Sequence, residues 1–176
     1  KGTFLSPQYL QSQDRFVESA LQFQLDALTY SGWGFRSLQI NQEALTAGYV
    51  TISEASGIFP DGLLFDMPDA DTAPPPKPLA DAFEQDQKSM DVYLAIPHYR
   101  EKGLNISLPH AQADTRYLSE VAMLRDENTG LAEKPIQVAR KNFRILLEGE
   151  SQKHSSVLRL CRVKRSAAGT FDLDQE

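Results

Sequence analysis

Cysteine is nearly missing from this sequence, with Cys161 the only one in 176 residues. One cysteine excludes an internal disulfide and is too few for a cysteine-built zinc site. It fits a reducing compartment, and the cytoplasm is the expected location. No stretch approaches the ~18 consecutive apolar residues of a membrane-spanning helix. Basic residues are also short, since 18 Lys and Arg against 24 Asp and Glu leave a net charge of −6. That balance argues against a duplex-binding protein, whose affinity comes from neutralising phosphates, so no nucleic-acid partner is expected. Neither G-x-G-x-x-G nor G-x-x-x-x-G-K-[ST] occurs, which leaves no glycine loop to cradle a phosphate. His98, His110 and His154 never fall at ligand spacing, and metal sites want clustered ligands. No metal and no other cofactor is expected.

What is present is an ordinary globular balance, 41% hydrophobic and 24% charged, enough for a sizeable core in one domain over 1–176. The acidity is uneven: residues 1–90 carry 5 basic and 12 acidic side chains, residues 91–176 carry 13 and 12. Residues 6–28 predict one long helix ending by about residue 30. Ser6 can cap it, Pro7 suits its first turn, and Val17, Leu21, Leu25 and Leu28 fall on one stripe before Gly32 closes it. From Trp33 the period changes to two. Leu38 with Ile40, Val50 with Ile52, Val92 with Leu94 and Ile96, Phe143 with Ile145 and Leu147, and the run Val157–Val163 all predict strands. Ile106 and Leu108 suggest a further strand, and Ile136 and Val138 are expected to lead into the Phe143 run. Residues 115–125 fit helix or strand, and the Asp126–Gly130 turn favours strand. Phe59-Pro60-Asp61-Gly62-Leu63 predicts a tight turn, with Pro60 presetting φ and Gly62 accepting a positive one. Five prolines among acidic residues make 66–90 a solvated loop in expectation. Short strands punctuated by Gly and Pro point to a mainly β fold, a sandwich or barrel, carrying one long N-terminal helix.

Several residue groups invite a chemical role. Asp69-x-Asp71 beside Asp66 hints at a calcium loop but lacks the glycine and terminal glutamate of that pattern. Glu148 and Glu150 could be a glycosidase pair, yet a solvated strand end explains them without a substrate groove. Arg159, Arg162, Lys164 and Arg165 have no interleaved aromatics for nucleic acid and are expected to meet an acidic protein surface. Cys161 sits in an apolar run and is expected to be a buried, inert thiol. Trp33 could be an exposed sugar platform; the expectation here is a core wedge beneath Val17, Leu21 and Leu25.

Three stretches together resemble the family of the type VI secretion baseplate subunit TssK. Gly2-Thr3-Phe4-Leu5-Ser6-Pro7-Gln8-Tyr9-Leu10-Gln11 is similar to its G-M-F-L-x-P-Q-H-F-Q signature, with Thr3, Tyr9 and Leu10 as departures. Trp33-Gly34-Phe35 followed by Gly57-Ile58-Phe59-Pro60-Asp61-Gly62 resembles its W-G and G-[IV]-F-P-D-G pair. Asn142 to Glu150 and Gly169 to Asp174 look like the end of its N-terminal domain. The resemblance implies an N-terminal β-sandwich similar to the shoulder domain of phage receptor-binding proteins, without catalytic residues. It also implies a homotrimer in the full-length protein, docking on the wedge subunits TssF and TssG, and a membrane-complex contact made only through a C-terminal head beyond a helical neck. With Lys1 at one end and Glu176 at the other, the chain is expected to be a fragment lacking neck and head.

The partner-binding candidates are Phe4, Leu5, Pro7, Tyr9 and Leu10, around the start of the expected helix. Phe4 and Leu5 could merely staple the helix start to its first turns. Two adjacent large apolar residues exceed what one staple contact needs, and an exposed pair there is a natural anchor for another subunit. The competing expectations are a carbohydrate- or receptor-binding β-sandwich module, if Trp33 is exposed, and a hydrolase built on Glu148, Glu150 or the Asp66–Asp71 loop.

Overall fold

A computed structural model of the chain describes residues 10, 12–18, 21, 32–83, 87–108, 114–125, 133–166 and 169–174. The fold is mainly β, in several sheets. Gly34–Ile40 (β1), Ile52–Ile58 (β3) and Leu64–Met67 (β4) form one antiparallel sheet, and Tyr49–Val50 (β2) pairs with Lys77–Pro78 (β5). Ser89–Pro97 (β6) lies between Arg144–Leu147 (β10) and Ser155–Arg165 (β11), with Phe171–Leu173 (β12) outside β11. Ile106–Ser107 (β7) runs parallel to Tyr117–Arg125 (β8), which pairs antiparallel with Glu133–Lys141 (β9).

One core joins the first two large sheets. Ile52, Ala55, Phe65 and Met67 from β3 and β4 share a buried cluster with Val92, Leu94 and Ile96 from β6, Ile145 and Leu147 from β10, and Leu158, Leu160 and Val163 from β11. Period-two spacing puts Phe65 and Met67, Val92, Leu94 and Ile96, Ile145 and Leu147, and Leu158 and Leu160 on one face of their strands. At the centre Phe59 stacks on Phe143, with ring centroids 5.9 Å apart, and Phe65 meets both edge-on. The Pro60-Asp61-Gly62 turn that presents Phe59 is closed by Phe59 N–H donating to Leu63 O at 2.9 Å, with Gly62 at φ +82°. Strand β8 settles the ambiguity of 115–125 in favour of strand.

Several expectations need correction. Of the helix over 6–28, Leu10, residues 12–18 and Leu21 are helical and the rest lies outside the described residues, so no single long helix is supported. Val17 and Leu21 are exposed rather than packed, because the strands fill the core among themselves. Leu25 and Leu28 lie outside the described residues. Trp33 is not a wedge; 55% of it stays exposed. Gly34, at φ +138°, swings the chain at the first residue of β1, so Phe35 rather than Trp33 turns onto the ring cluster, 5.6 Å from Phe65. Residues 66–83 are more than a solvated loop. They end β4, supply β5, and bury Asp71, Pro74, Leu79 and Phe83. Ile136 and Val138 do not continue into the Phe143 run, because Asn142 and Phe143 separate β9 from β10 and the two strands join different sheets. Among the elements left unread are β12 and a five-residue helix, Gln42–Thr46, whose Asn41 side chain accepts from Ala44 N–H at 2.9 Å.

Candidate docking surface

The buried cluster takes no residue from β7, β8 or β9. That third sheet and its flanks instead leave several large apolar side chains in water, while Tyr117, Leu118 and Val138 are half-buried. Val121 is 65% exposed and Met123 58%, and Leu124, Ile136, Ile106, Leu108 and Leu104 are exposed with them. The register pairs Val121 with Gln137 and Met123 with Pro135 on one face of the β8–β9 ribbon; Ala122 with Ile136 and Leu124 with Lys134 occupy the other. The ribbon is therefore apolar on both faces, whereas a solvated strand pair ordinarily has one polar face. Arg15 of the helical residues donates to Tyr99 Oη at 2.8 Å, tying that segment to the chain leading into β7.

A polar root fixes the ribbon to the body. Arg116, 5% exposed just before β8, donates through Nη1 to Asp61 Oδ2 and to Pro97 O, each at 2.8 Å. Thr115 Oγ1 donates to Ser107 Oγ at 2.8 Å, and Asn142 Nδ2 donates to Thr115 O at 2.8 Å. At the far strand, Lys141 Nζ reaches Asp71 Oδ2 at 2.8 Å and Leu64 O at 2.9 Å. A nearly buried guanidinium needs such partners, since an unpaired charge there would be costly. Asp61 of the Pro-Asp-Gly turn thus has a task that its turn geometry alone did not disclose.

The charged groups singled out from the sequence serve structure. The Asp91 carboxylate takes Arg162 Nε and Arg159 Nη2, each at 2.8 Å. The Arg162 hydrogen bond, seconded by Arg159, holds its pKa below the usual carboxylate value against the opposing effect of burial. Arg159 and Arg162 thus pair within the chain, and the Arg165 guanidinium lies over the Phe83 ring at 5.4 Å. Burial pushes the Glu150 carboxyl up, but the Lys77 ammonium at 2.7 Å and the Leu147 N–H outweigh it and leave its pKa lowered. Glu148 accepts from Asp91 N–H at 3.0 Å, so the two glutamates brace separate contacts and form no pair across a groove. Cys161 is half-buried rather than fully buried, and burial raises its thiol pKa to about 11, which favours the protonated form at neutral pH. Asp71 is committed to Lys141 and to Asp66 N–H, and among the described residues no three His, Cys, Asp or Glu side chains gather to hold a metal. His98 and His154 are exposed, and His110 lies outside the described residues.

Of the partner-binding candidates, Phe4, Leu5, Pro7 and Tyr9 lie outside the described residues, and Leu10 is helical and exposed. Trp33 borders an open cavity of about 650 Å³ on the β1–β3–β4 sheet, with Phe35, Leu64 and Phe65 as apolar wall and Arg36, Asp66 and Lys141 at its polar side. The ribbon was missed as a surface. Its signal was present in apolar residues at both parities of one strand, Val121 and Met123 against Ala122 and Leu124. Among the described residues, no helix is long and apolar enough to cross a membrane.

A strand-built domain with a closed core, internally paired charges and a rooted ribbon left apolar on both faces defines the class: a domain that presents surface. Residues 9–176 match the family described as bacterial type VI secretion, VC_A0110, EvfL, ImpJ, VasE, and the chain belongs to that family. It is 30% identical to the type VI secretion baseplate component TssK1 of Pseudomonas aeruginosa, over the whole chain and 39% of that relative's length. Among solved structures it is similar to a chain of the TssK–TssF–TssG baseplate subcomplex (TM-score 0.89, 22% identity, 100% of this chain and 58% of that one). It is also similar to crystalline TssK (TM-score 0.81, 27% identity, 99% and 39%). The chain therefore spans about two fifths of the length of the curated relative it matches.

Proposed function

We propose that this chain is a non-catalytic adaptor domain of the type VI secretion baseplate: an N-terminal β-sandwich that docks on the wedge subunits TssF and TssG in the cytoplasm. The family match over 9–176 is the observation that carries this reading. The wedge as partner is supported by the likeness to a chain of a TssK–TssF–TssG subcomplex. The sandwich is supported by the core shared between the β1–β3–β4 and β10–β6–β11–β12 sheets. In the full-length protein the domain belongs to a homotrimer whose neck and head follow it and reach the membrane complex. Phe4, Leu5, Pro7, Tyr9 and Leu10 are the proposed wedge anchors. The test is capture of co-expressed TssF and TssG by the tagged chain. Capture is expected, with Phe4→Ala plus Leu5→Ala weakening it while circular dichroism and melting temperature hold. Failure of the wild-type chain to retain either subunit removes the reading.

The exposure of Trp33 beside the 650 Å³ cavity favours a second reading, carbohydrate or receptor binding. A glycan panel that quenches Trp33 fluorescence saturably, with Trp33→Ala abolishing it, would select this reading; a flat response removes it.

A further inference from the structure

We infer that the cavity beside Trp33 is a binding site for a neutral pyranose, with the sugar ring stacked on the indole and its hydroxyls taken by Arg36 and Asp66. The inference rests on the carbohydrate reading above and narrows it to one chemical class. Its first ground is the face on which the cavity lies. Phe65 and Met67 of β4 enter the core, so Leu64 and Asp66 point to the outer side of the sheet. Ile58 pairs with Leu64 and Ser56 with Asp66, which sets an apolar row beside a polar one on that outer face. Ser56 Oγ lies 2.8 Å from Ser37 Oγ and carries the polar row on to β1. Trp33 and Leu64, both more than half exposed, supply the apolar wall. Arg36 joins the site because it is the extra residue of a bulge. Phe35 pairs with Gly57 and Ser37 with Ser56, so Arg36 has no register partner on β3 and lines the cavity instead.

The second ground is charge, and it selects the class of ligand. The charged side chains lining the cavity, Arg36 and Lys141 against Asp66 and Asp71, sum to zero. Lys141 and Asp71 satisfy each other at 2.8 Å. Among the described residues, the Arg36 guanidinium and the Asp66 carboxylate have no partner, and both residues are exposed. A strongly charged ligand calls for a surface of opposite net charge, which this cavity lacks. The guanidinium only donates and the carboxylate only accepts, so the ligand must bring acceptors and donors together. Hydroxyls do both, and a vicinal pair of them spans one carboxylate. A pyranose carries such pairs around its rim and an apolar C–H face that suits an exposed indole. A zwitterion also offers both signs, but ion pairs in an open, wet cavity add little. A polypeptide ordinarily adds to a sheet at a strand edge. The β4 edge beside the cavity is already taken, by Lys141 Nζ on Leu64 O and by Asp71 Oδ2 on Asp66 N–H.

Trp33 is the only tryptophan, so indole fluorescence reports this cavity alone. The chain is titrated without TssF or TssG, which keeps the outcome independent of wedge capture. The probes are the methyl β-pyranosides of glucose, galactose and mannose, methyl β-glucuronide, and the zwitterion glycylglycine. At least one neutral glycoside is expected to change the fluorescence saturably, with the glucuronide and glycylglycine binding more weakly or not at all. Asp66→Asn and Arg36→Gln are each expected to weaken that glycoside about tenfold or more, with unchanged circular dichroism. Trp33→Ala removes the reporter and is followed by saturation-transfer NMR of the ligand, where the signal should vanish; Trp33→Tyr, which keeps a stacking face, should retain it. A flat response to every sugar overturns the inference together with the carbohydrate reading. A glucuronide that binds more tightly than every neutral glycoside overturns the inference and leaves that reading standing. Glycylglycine binding more tightly than every sugar overturns the inference in favour of a zwitterionic or peptide ligand. Neutral binding left intact by either folded variant also overturns it. Should one variant lose its strand signal, the other decides, and loss in both overturns the inference because the side chains then serve the fold.

Discussion

Gly57 shows at single-residue scale why a motif glycine is needed. A Cβ there would collide with the Gly34 carbonyl oxygen and lie 2.9 Å from the Phe65 ring, because β1 and β3 approach closely where Gly34 pairs with Ile58. Neither neighbour can yield cheaply, since one is backbone and the other sits in the Phe59–Phe65–Phe143 cluster. Gly57→Ala is expected to cost about 1–3 kcal/mol, read as a lower urea midpoint with an unchanged slope. An unchanged midpoint would mean that the two strands separate without loss. Asp61, three residues past Ile58 in the same motif, acts through its carboxylate on Arg116. Asp61→Asn withdraws the counter-charge from a nearly buried guanidinium and is expected to cost about 1.5–3 kcal/mol. Hydrogen exchange tells this from a general loss of stability. Amides of β8 and β9 should exchange faster while those of β6 keep their protection relative to the new global stability. Uniform acceleration across both sheets would count against a ribbon-specific root.

Elements differ in how much of them could be read from residue order. Strands β1, β3, β6 and β11 follow from their apolar spacing, β8 only from the turn after it, and the Phe59–Leu63 turn follows from Pro60 and Gly62, because these signals are local. The helix Gln42–Thr46 is too short to show a period, so only its Asn41 cap could have announced it. The 66–83 segment misled through its prolines and aspartates, since Leu79 and Phe83 anchor it by contacts distant in sequence. The site was less legible still. Whether Val121 or Trp33 is covered depends on which sheets meet, and no local spacing encodes that. Pairing between elements also sets the acid limit of the fold. Asp91 on β6 binds Arg159 and Arg162 on β11, and Glu150 after β10 binds Lys77 on β5. Both carboxyls have folded-state pKa values lowered from their ordinary ones. Their stabilisation is therefore full above the unfolded values of about 3.9 and 4.3, and it is lost as pH falls through the folded ones. The melting temperature is expected to fall below about pH 4 on this account, and Asp91→Asn should lower it at pH 7 while making the acid decline shallower. A parallel decline in the variant would shift the acid sensitivity to other carboxyls.

For the molecule as a whole, charge and apolar surface are segregated, and the separation decides how salt should act. The first 90 residues hold most of the excess acidity, while residues 117–141 are neutral and expose apolar side chains on both faces. If copies in the proposed homotrimer meet through apolar surface, the attraction is apolar and the opposing force is repulsion between acidic bodies. Screening weakens only the second, because the Debye length shrinks from about 30 Å at 0.01 M to about 3 Å at 1 M while apolar burial persists. The association of the wild-type chain should therefore tighten as sodium chloride rises from low to moderate concentration. The opposite trend belongs to an interface held by ion pairs between copies, which added salt loosens. Sedimentation velocity over a salt series at fixed protein concentration distinguishes the two by the sign of the shift in mean sedimentation coefficient. A decrease with salt would place the contact on charged surface.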